Sequence, residues 1–258
     1  MPMNTRAVAI MNHLPGFVAT LFWSHSVAAR ILRPLVNRVV PDVPTSIVVR
    51  SGAAKGIRLF IYPRHEKYYW SGTHEEAVQQ AVVDILKSGA TFWDIGAHIG
   101  FFSLLASRLV GDAGRVHAFE PMTENRQRLL TAVELNQGNN LTVHAVAVAG
   151  ASGEAVLHAH PSTAMWTLVP ERGETAGITV PCSTLDELAQ SLASPHLLKI
   201  DVEGAEVSVL RGGSDFLQRA RPPLIVEFSD EVTLAEARSL LPFYTFSPIS
   251  STHWVLHA

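Results

Sequence analysis

The chain has 258 residues, 47% of them hydrophobic, enough for one enzyme-sized domain with a sizeable core. A net charge of −3 without any run of Lys or Arg leaves no electrostatic footprint for a nucleic-acid backbone, so nucleic acid is not expected as a partner. The single cysteine, Cys182, excludes an intrachain disulfide and a thiolate metal cluster, and suits a reducing, cytoplasmic setting.

Residues 1–45 read as a helical extension ahead of a domain spanning 46–258. Ala7 to Trp23 is apolar but broken by Asn12, His13, Pro15 and Gly16, and falls short of the ~20 apolar residues of a spanning helix. Arg6 before it and Ser26-Val27-Ala28 after it imitate a signal peptide. Against that reading, Arg30, Arg33 and Arg38 continue a second segment in which Ile31, Leu32, Leu35, Val36 and Val39 recur at helical spacing. This stripe is expected to pack on the domain or on a second subunit of a homo-oligomer, with Pro34 placed to kink it. The alternative is a basic amphipathic helix resting peripherally on an anionic membrane surface.

From Ser46 to Tyr62 an imperfect alternation with Gly52 and Gly56 predicts a β-hairpin. Pro63 to Gly72 is a polar and aromatic loop of the kind that contributes to sites. Thr73 and Glu76, at capping-box spacing, predict the start of a helix whose stripe is Val78, Ala81, Val82, Ile85 and Leu86. Thr91 to Gly100 then predicts a buried strand ending at Asp94, a turn on Gly96 and a helix entered near Gly100, with Phe102, Leu105, Ala106 and Leu109 inward. The two glycines let backbone approach a ligand closely. His98 occupies the place of the second glycine of G-x-G-x-x-G, so a nucleoside without phosphates fits better than a dinucleotide.

Strand and helix alternate from there on. Arg115 to Glu120 is the second strand and Thr123 to Asn136 its helix, with Leu129, Leu130 and Val133 inward. Leu141 to Ala149 is a third strand, and Glu154 to Pro181 is either a β-hairpin insertion or a mobile substrate loop. Ser183 and Asp186 open a helix carrying Leu185, Leu188, Ala189 and Leu192. His196 to Val202 is a fourth strand leading to a short helix that stops at Gly212-Gly213, and Pro223 to Phe228 is a fifth. A helix from Asp230 to Leu241 and closing strands at Tyr244 to Ile249 and His253 to Leu256 complete the chain. This is the pattern of an α/β domain with a parallel sheet covered on both faces.

In open α/β sheets ligands bind at the carboxyl ends of the strands. The candidates there are Asp94 with Gly96, Glu120, the turn at Ala147 to Gly150, Asp201 with Glu203, and Glu227. Four of the five strands end in a carboxylate, and buried unpaired carboxylates are too costly to be an accident of packing. Glu120, twenty residues beyond Gly100, can accept hydrogen bonds from both hydroxyls of a ribose.

Asp94-Ile95-Gly96-Ala97-His98-Ile99-Gly100, Phe119-Glu120-Pro121, Leu198-Lys199-Ile200-Asp201-Val202-Glu203-Gly204-Ala205-Glu206 and Val226-Glu227-Phe228 together resemble the FkbM family of S-adenosylmethionine-dependent methyltransferases. The resemblance covers about Ser71 to the C terminus. It implies a Rossmann-like class I methyltransferase with seven strands, the last one antiparallel, and methyl transfer to a hydroxyl of a sugar, glycolipid or secondary metabolite. It also implies that Asp94, Gly96, Ala97, His98 and Gly100 line the methionine part of the cofactor, that Glu120 holds the ribose, and that Ala147 and Val148 border the adenine. Asp201 and Glu75 are expected among the cofactor-binding residues as well. One departure is His98, where Asn is the commoner family residue; its imidazole either bonds a backbone carbonyl or takes part in catalysis.

The sulfonium activates the methyl group unaided, so the chain must align the acceptor and assist its deprotonation. Asp201 is expected to contact the acceptor, with Glu203 and Glu227 raising or sharing its proton affinity, and Lys199 pointing away or pairing with one of them. A rival arrangement uses Asp201, Glu227 and Asp230 as oxygen ligands of Mg²⁺. Glu75, His74 and Tyr68-Tyr69-Trp70 are expected to roof the site. Two other functions stay open: a catalytically silent cofactor-binding scaffold, and a methyltransferase acting on an amine, although no Asn/Asp-Pro-Pro-Tyr/Phe segment is present.

Overall fold

A computed structural model describes residues 43–159, 166–167 and 177–258 of the chain. The helices expected before residue 43 lie outside the described residues. Two short antiparallel strands, β1 (Thr45–Val48) and β2 (Arg58–Ile61), form the expected hairpin. The segment expected as a loop contains a short helix, α1 (Lys67–Ser71), and is followed by α2 (Glu76–Ile85). The capping box does not form: the residue before α2 is Glu75, in left-handed backbone at φ 45°, and no side chain caps the helix. Thr73 instead shares a hydrogen bond of 2.7 Å with Ser71 Oγ.

The central unit alternates as expected: β3 (Thr91–Ile95), α3 (Phe101–Val110), β4 (Arg115–Phe119), α4 (Thr123–Asn136) and β5 (Leu141–His144). After a small second sheet come α5 (Leu185–Ser191), β10 (Leu197–Ile200), α6 (Glu206–Arg211), α7 (Ser214–Ala220), β11 (Leu224–Glu227), α8 (Glu231–Leu240), β12 (Thr245–Pro248) and β13 (His253–His257). The main sheet has seven strands in the order β12-β13-β11-β10-β3-β4-β5. The strands from β11 to β5 are parallel neighbours, and β13 runs antiparallel between β11 and β12. Strand order reverses between β3 and β10, the position where such sheets open a ligand crevice.

The run expected as one third strand divides between two sheets. Leu141–His144 pairs with β4, whereas β6 (Ala147–Val148) pairs with β9 (Gly177–Ser183) in a four-stranded sheet with β7 (Gly153–Ala159) and β8 (Trp166–Thr167). The insertion is thus the hairpin of the two alternatives, β7 against β9. The cap of α5 is Thr184, which accepts from Glu187 N at 3.2 Å, while Ser183 closes β9.

Apolar residues fill both faces of the sheet. Phe92, Leu105, Ala106 and Leu129 lie on one side, and Trp93, Ile200, Phe216 and Leu217 on the other. A side chain as completely buried as Leu129 contributes about 1.5–3 kcal/mol. On α4 the expected Leu130 faces solvent, 45% exposed; Arg128 takes the inward position. Arg128 donates to Phe60 O at 2.9 Å and forms an ion pair with Glu66, tying the N-terminal hairpin to the domain.

Candidate active site

Strands β3 and β10 end side by side, with Asp201 N donating to Ile95 O at 3.1 Å. Gly96 turns away at φ 82°, and a Cβ there would stand 1.8 Å from the backbone oxygen of Asp201. Gly100, at φ 85°, would press a Cβ to 2.1 Å from Leu129 Cδ1. Both glycines are therefore dictated by the close approach of protein to protein, one strand end against another and a helix start against α4. Gly96 N and Ala97 N donate to Phe119 O, at 3.1 and 3.0 Å, which lays the turn across the end of β4.

A cavity of about 370 Å³ opens over these strand ends. Its lining includes Gly96, His98, Glu120, Ala147 and Val148 together with Glu75, Asp201, Glu203 and Glu227. Asp94, Ala97 and Gly100 do not reach it. Asp94 is only 1% exposed; it accepts from Ser103 Oγ at 2.5 Å and sits opposite Lys199 in the strand register, so it works inside the wall. Asp230 lies elsewhere, capping α8 by accepting from Val232 N and Thr233 N at 2.9 and 2.8 Å, and so does not join Asp201 and Glu227 in the expected oxygen set.

Glu120 is buried, and its two oxygens accept from His98 N at 2.8 Å and Met122 N at 2.9 Å. Burial pushes its carboxyl up to about 7, against the pull of these N–H groups. His98 itself adopts φ 50°, and its Nδ1 lies 3.1 Å from Tyr69 OH, so its partner is a phenol and not a backbone carbonyl. Burial, with Arg128 adding to it, pushes the imidazole down to about 4 and keeps it neutral.

On the other side Lys199, 2% exposed, places Nζ 2.7 Å from Asp201 Oδ2. Burial opposes an Asp201 charge, but the Lys199 ammonium and hydrogen bonds from Lys199 and Glu227 outweigh it and hold the carboxyl well below the usual range. Glu227 takes the opposite shift: burial and the Asp201 charge push it up to about 8, so it carries the proton of the pair. The neighbouring carboxyl thus lowers the proton affinity of Asp201, the reverse of the expected direction. Burial and the Asp201 charge also raise Glu203, to about 7. Its loop is held by Glu206, whose Oε1 accepts from Val202 N and Gly204 N at 3.1 and 3.0 Å.

Tyr69 and His74 also line the cavity, their rings 4.5 Å apart, with Tyr68 tilted against both and Trp70 buried. Glu75 spans His74 Nε2 at 3.4 Å and His253 Nε2 at 3.5 Å. Of the five described non-glycine residues with positive φ, Glu75, His98 and Glu203 line the cavity. Backbone held in that region costs on the order of 1 kcal/mol or more, and such strain gathers at functional sites. Sequence reasoning missed His253, Met122, Asn125 and Leu157. His253 was readable in principle: in an antiparallel last strand its first residue falls beside the end of β11, and Glu227 and His253 are register partners.

A seven-stranded sheet of this order with one antiparallel strand, and a cavity over the reversal point, defines the class I S-adenosylmethionine-dependent methyltransferase fold. The chain belongs to the FkbM methyltransferase family: the Methyltransferase FkbM domain matches residues 94–248. It is similar to the hexuronic acid methyltransferase AglP of Haloferax volcanii, 27% identical over 147 residues that make up 56% of this chain and 58% of that protein. The chain therefore matches somewhat over half the length of this curated relative. Among solved structures it is similar to a methyltransferase FkbM from Methylobacillus flagellatus, with a TM-score of 0.49 at 19% identity over 67% of this chain and 45% of that one. Another is fibrillarin from Aeropyrum pernix in complex with S-adenosyl-L-methionine, with a TM-score of 0.45 at 13% identity over 70% and 74%. Among the described residues no helix is long and apolar enough to cross a membrane.

Proposed function

We propose that the chain transfers the methyl group of S-adenosylmethionine to a hydroxyl of a sugar or glycolipid acceptor. The observation that carries this reading is one cavity whose lining joins two unlike groups of residues, which we read as two halves. In one half, Glu120 stands at the tip of β4 near the apolar residues Met122, Val148 and Leu157, which suits a ribose hydroxyl pair and a purine. In the other, Glu75, Asp201, Glu203 and Glu227 converge under Tyr69 and His74, which suits an acceptor rich in hydroxyls with one face against aromatic rings. The similarity to a protein described as a hexuronic acid methyltransferase supports a sugar acceptor.

When bound, S-adenosylmethionine supplies an electrophilic methyl group. The residues of the chain do the rest. Glu120 accepts the ribose hydroxyls, and Gly96 and His98 bound the methionine side. Asp201, fixed as an anion by Lys199, accepts a hydrogen bond from the acceptor and orients its oxygen. Glu203, on the strained loop that opens into the cavity, is placed to take the hydroxyl proton as the new bond forms. Tyr69 and His98, joined by their hydrogen bond, close the site from water.

The test is to incubate the pure protein with S-adenosylmethionine and separate pools of neutral sugars, uronic acids, glycolipids and amines, reading one added methyl by mass. Methylation of a sugar oxygen is the expected outcome. Transfer to amines alone, or to no pool, would overturn it.

A further inference from the structure

We propose that Glu75, Asp201 and His253 form a binding site for one borderline divalent cation, of the Zn²⁺ or Mn²⁺ type, at the wall of the cavity. One donor atom from each of the three lies within 4.8 Å of the others. They come from three separate parts of the chain: the turn before α2, the end of β10 and the start of β13. The proposal builds on the reading of this half of the cavity as the acceptor side, and it differs from the oxygen-only set of Asp201, Glu227 and Asp230.

His253 supplies the observation independent of the acids. Its side chain is 6% exposed. Ser250 Oγ and Thr252 Oγ1 lie 3.1 and 3.2 Å from its Nδ1, and with the proton there the ring presents the Nε2 lone pair to Glu75. Metal-bound histidines are commonly fixed through the second nitrogen in this way. Nε2 is buried without a hydrogen-bond partner, and so is Glu75 Oε2, 3.5 Å away. With the proton on Nδ1, two acceptors face each other in a buried space, and a shared proton or a metal ion between them satisfies both. Ligands each about 2.1 Å from one ion stand about 3.4 Å apart at the tetrahedral angle, close to the 3.5 Å between Glu75 Oε2 and His253 Nε2.

An imidazole with two carboxylates is a donor set for Zn²⁺ or Mn²⁺ more than for Ca²⁺. Lys199 binds Asp201 Oδ2 and neutralises one charge, and an ion would replace the hydrogen bond that Glu227 gives the same carboxylate, with the Glu75 carboxylate as its other oxygen ligand. Glu75 and Asp201 line the cavity while His253 does not, so an ion would enter from the cavity and keep its remaining positions toward the acceptor. There it would polarise a hydroxyl oxygen, lowering the cost of losing its proton.

The experiment titrates Mn²⁺, and separately Zn²⁺, into the full-length protein without cofactor. Electron paramagnetic resonance is expected to show one bound Mn²⁺ per chain with nitrogen hyperfine coupling. H253Q should lose the coupling and weaken Mn²⁺ binding about tenfold or more, while its affinity for S-adenosylhomocysteine, measured by calorimetry, reports on its fold. If H253Q does not fold, E75Q should weaken Mn²⁺ binding while keeping the nitrogen coupling, and that coupling in the unmodified protein decides by itself. No bound Mn²⁺ or Zn²⁺, bound Mn²⁺ without nitrogen coupling, or unchanged binding in a folded H253Q would overturn the site. Bound metal in a protein that methylates no sugar would count against the proposed function and leave this site standing.

Discussion

Glu120 is the residue whose role is most directly readable by pH. Its carboxyl is raised by burial from an ordinary value of 4.5 to about 7, so the cofactor-free fold holds it protonated where the unfolded chain would ionise it. Its contribution to the stability of the cofactor-free protein therefore falls as pH rises from about 4.5 to about 7, because the folded state binds more protons there. Ribose hydroxyls donate best to the ionised form, so affinity for S-adenosylhomocysteine should strengthen about tenfold from about pH 6 to about pH 8 by calorimetry. E120Q should bind more weakly and lose that pH dependence; a wild-type affinity flat with pH would remove Glu120 from the ribose. Asp201 has the complementary role. D201N should keep cofactor affinity within about threefold and lose turnover by a factor of about 100 or more, and loss of cofactor affinity instead would reverse the division. The acids themselves were legible in the sequence, because a carboxylate at the end of a strand has few structural explanations. Their proton affinities were not, since Lys199 could have pointed either way from β10, and only its contact with Asp201 decides which of Asp201 and Glu227 carries the proton.

At the scale of elements, the turn between β3 and α3 depends on two glycines for different reasons. G96A would drive a methyl into the backbone of Asp201, and with no flexible neighbour to yield it should cost about 3 kcal/mol, read as a large fall in melting temperature. G100A meets the end of the Leu129 side chain, so the double variant with L129A should show a favourable coupling of about 1 kcal/mol that no side-chain change offers G96A. Equal behaviour of the two sites would contradict this packing argument. Asp230 offers a further check: D230A should lower stability by about 1 kcal/mol through the lost cap and leave turnover intact. Most elements were legible because their apolar periodicity is strong, as in α2, where the expected stripe Val78, Ala81, Val82, Ile85 and Leu86 packs into the core; the bounds of α4 were also as expected, although its inward face was not. The helices Lys67–Ser71 and Ser214–Ala220 were not, being too short to show a period. Nor could alternation reveal that Leu141–His144 and Ala147–Val148 join different sheets, since a strand carries the same pattern whichever neighbour it pairs with.

At the scale of the molecule, one sheet with both faces covered brings four strand ends to a common crevice, and two smaller pieces complete it. The β1–β2 hairpin, anchored by Arg128, leads directly into the segment carrying Tyr69, His74 and Glu75. The β6–β9 pair contributes Ala147 and Val148 and, through β7, Leu157. The order of strands and helices was readable from their alternation, whereas the convergence of Glu75 and His253 on Asp201 joins residues far apart in the chain and is a property of the fold alone. The measurement that bears most directly on the account is binding of S-adenosylhomocysteine by calorimetry to the unmodified protein and to E120Q and D201N, paired with mass detection of methyl transfer to a sugar. The account requires one cofactor site per chain, weakened in E120Q and retained in D201N, with transfer to a sugar hydroxyl lost in D201N. No cofactor binding by the unmodified protein, or transfer undiminished in D201N, would contradict it.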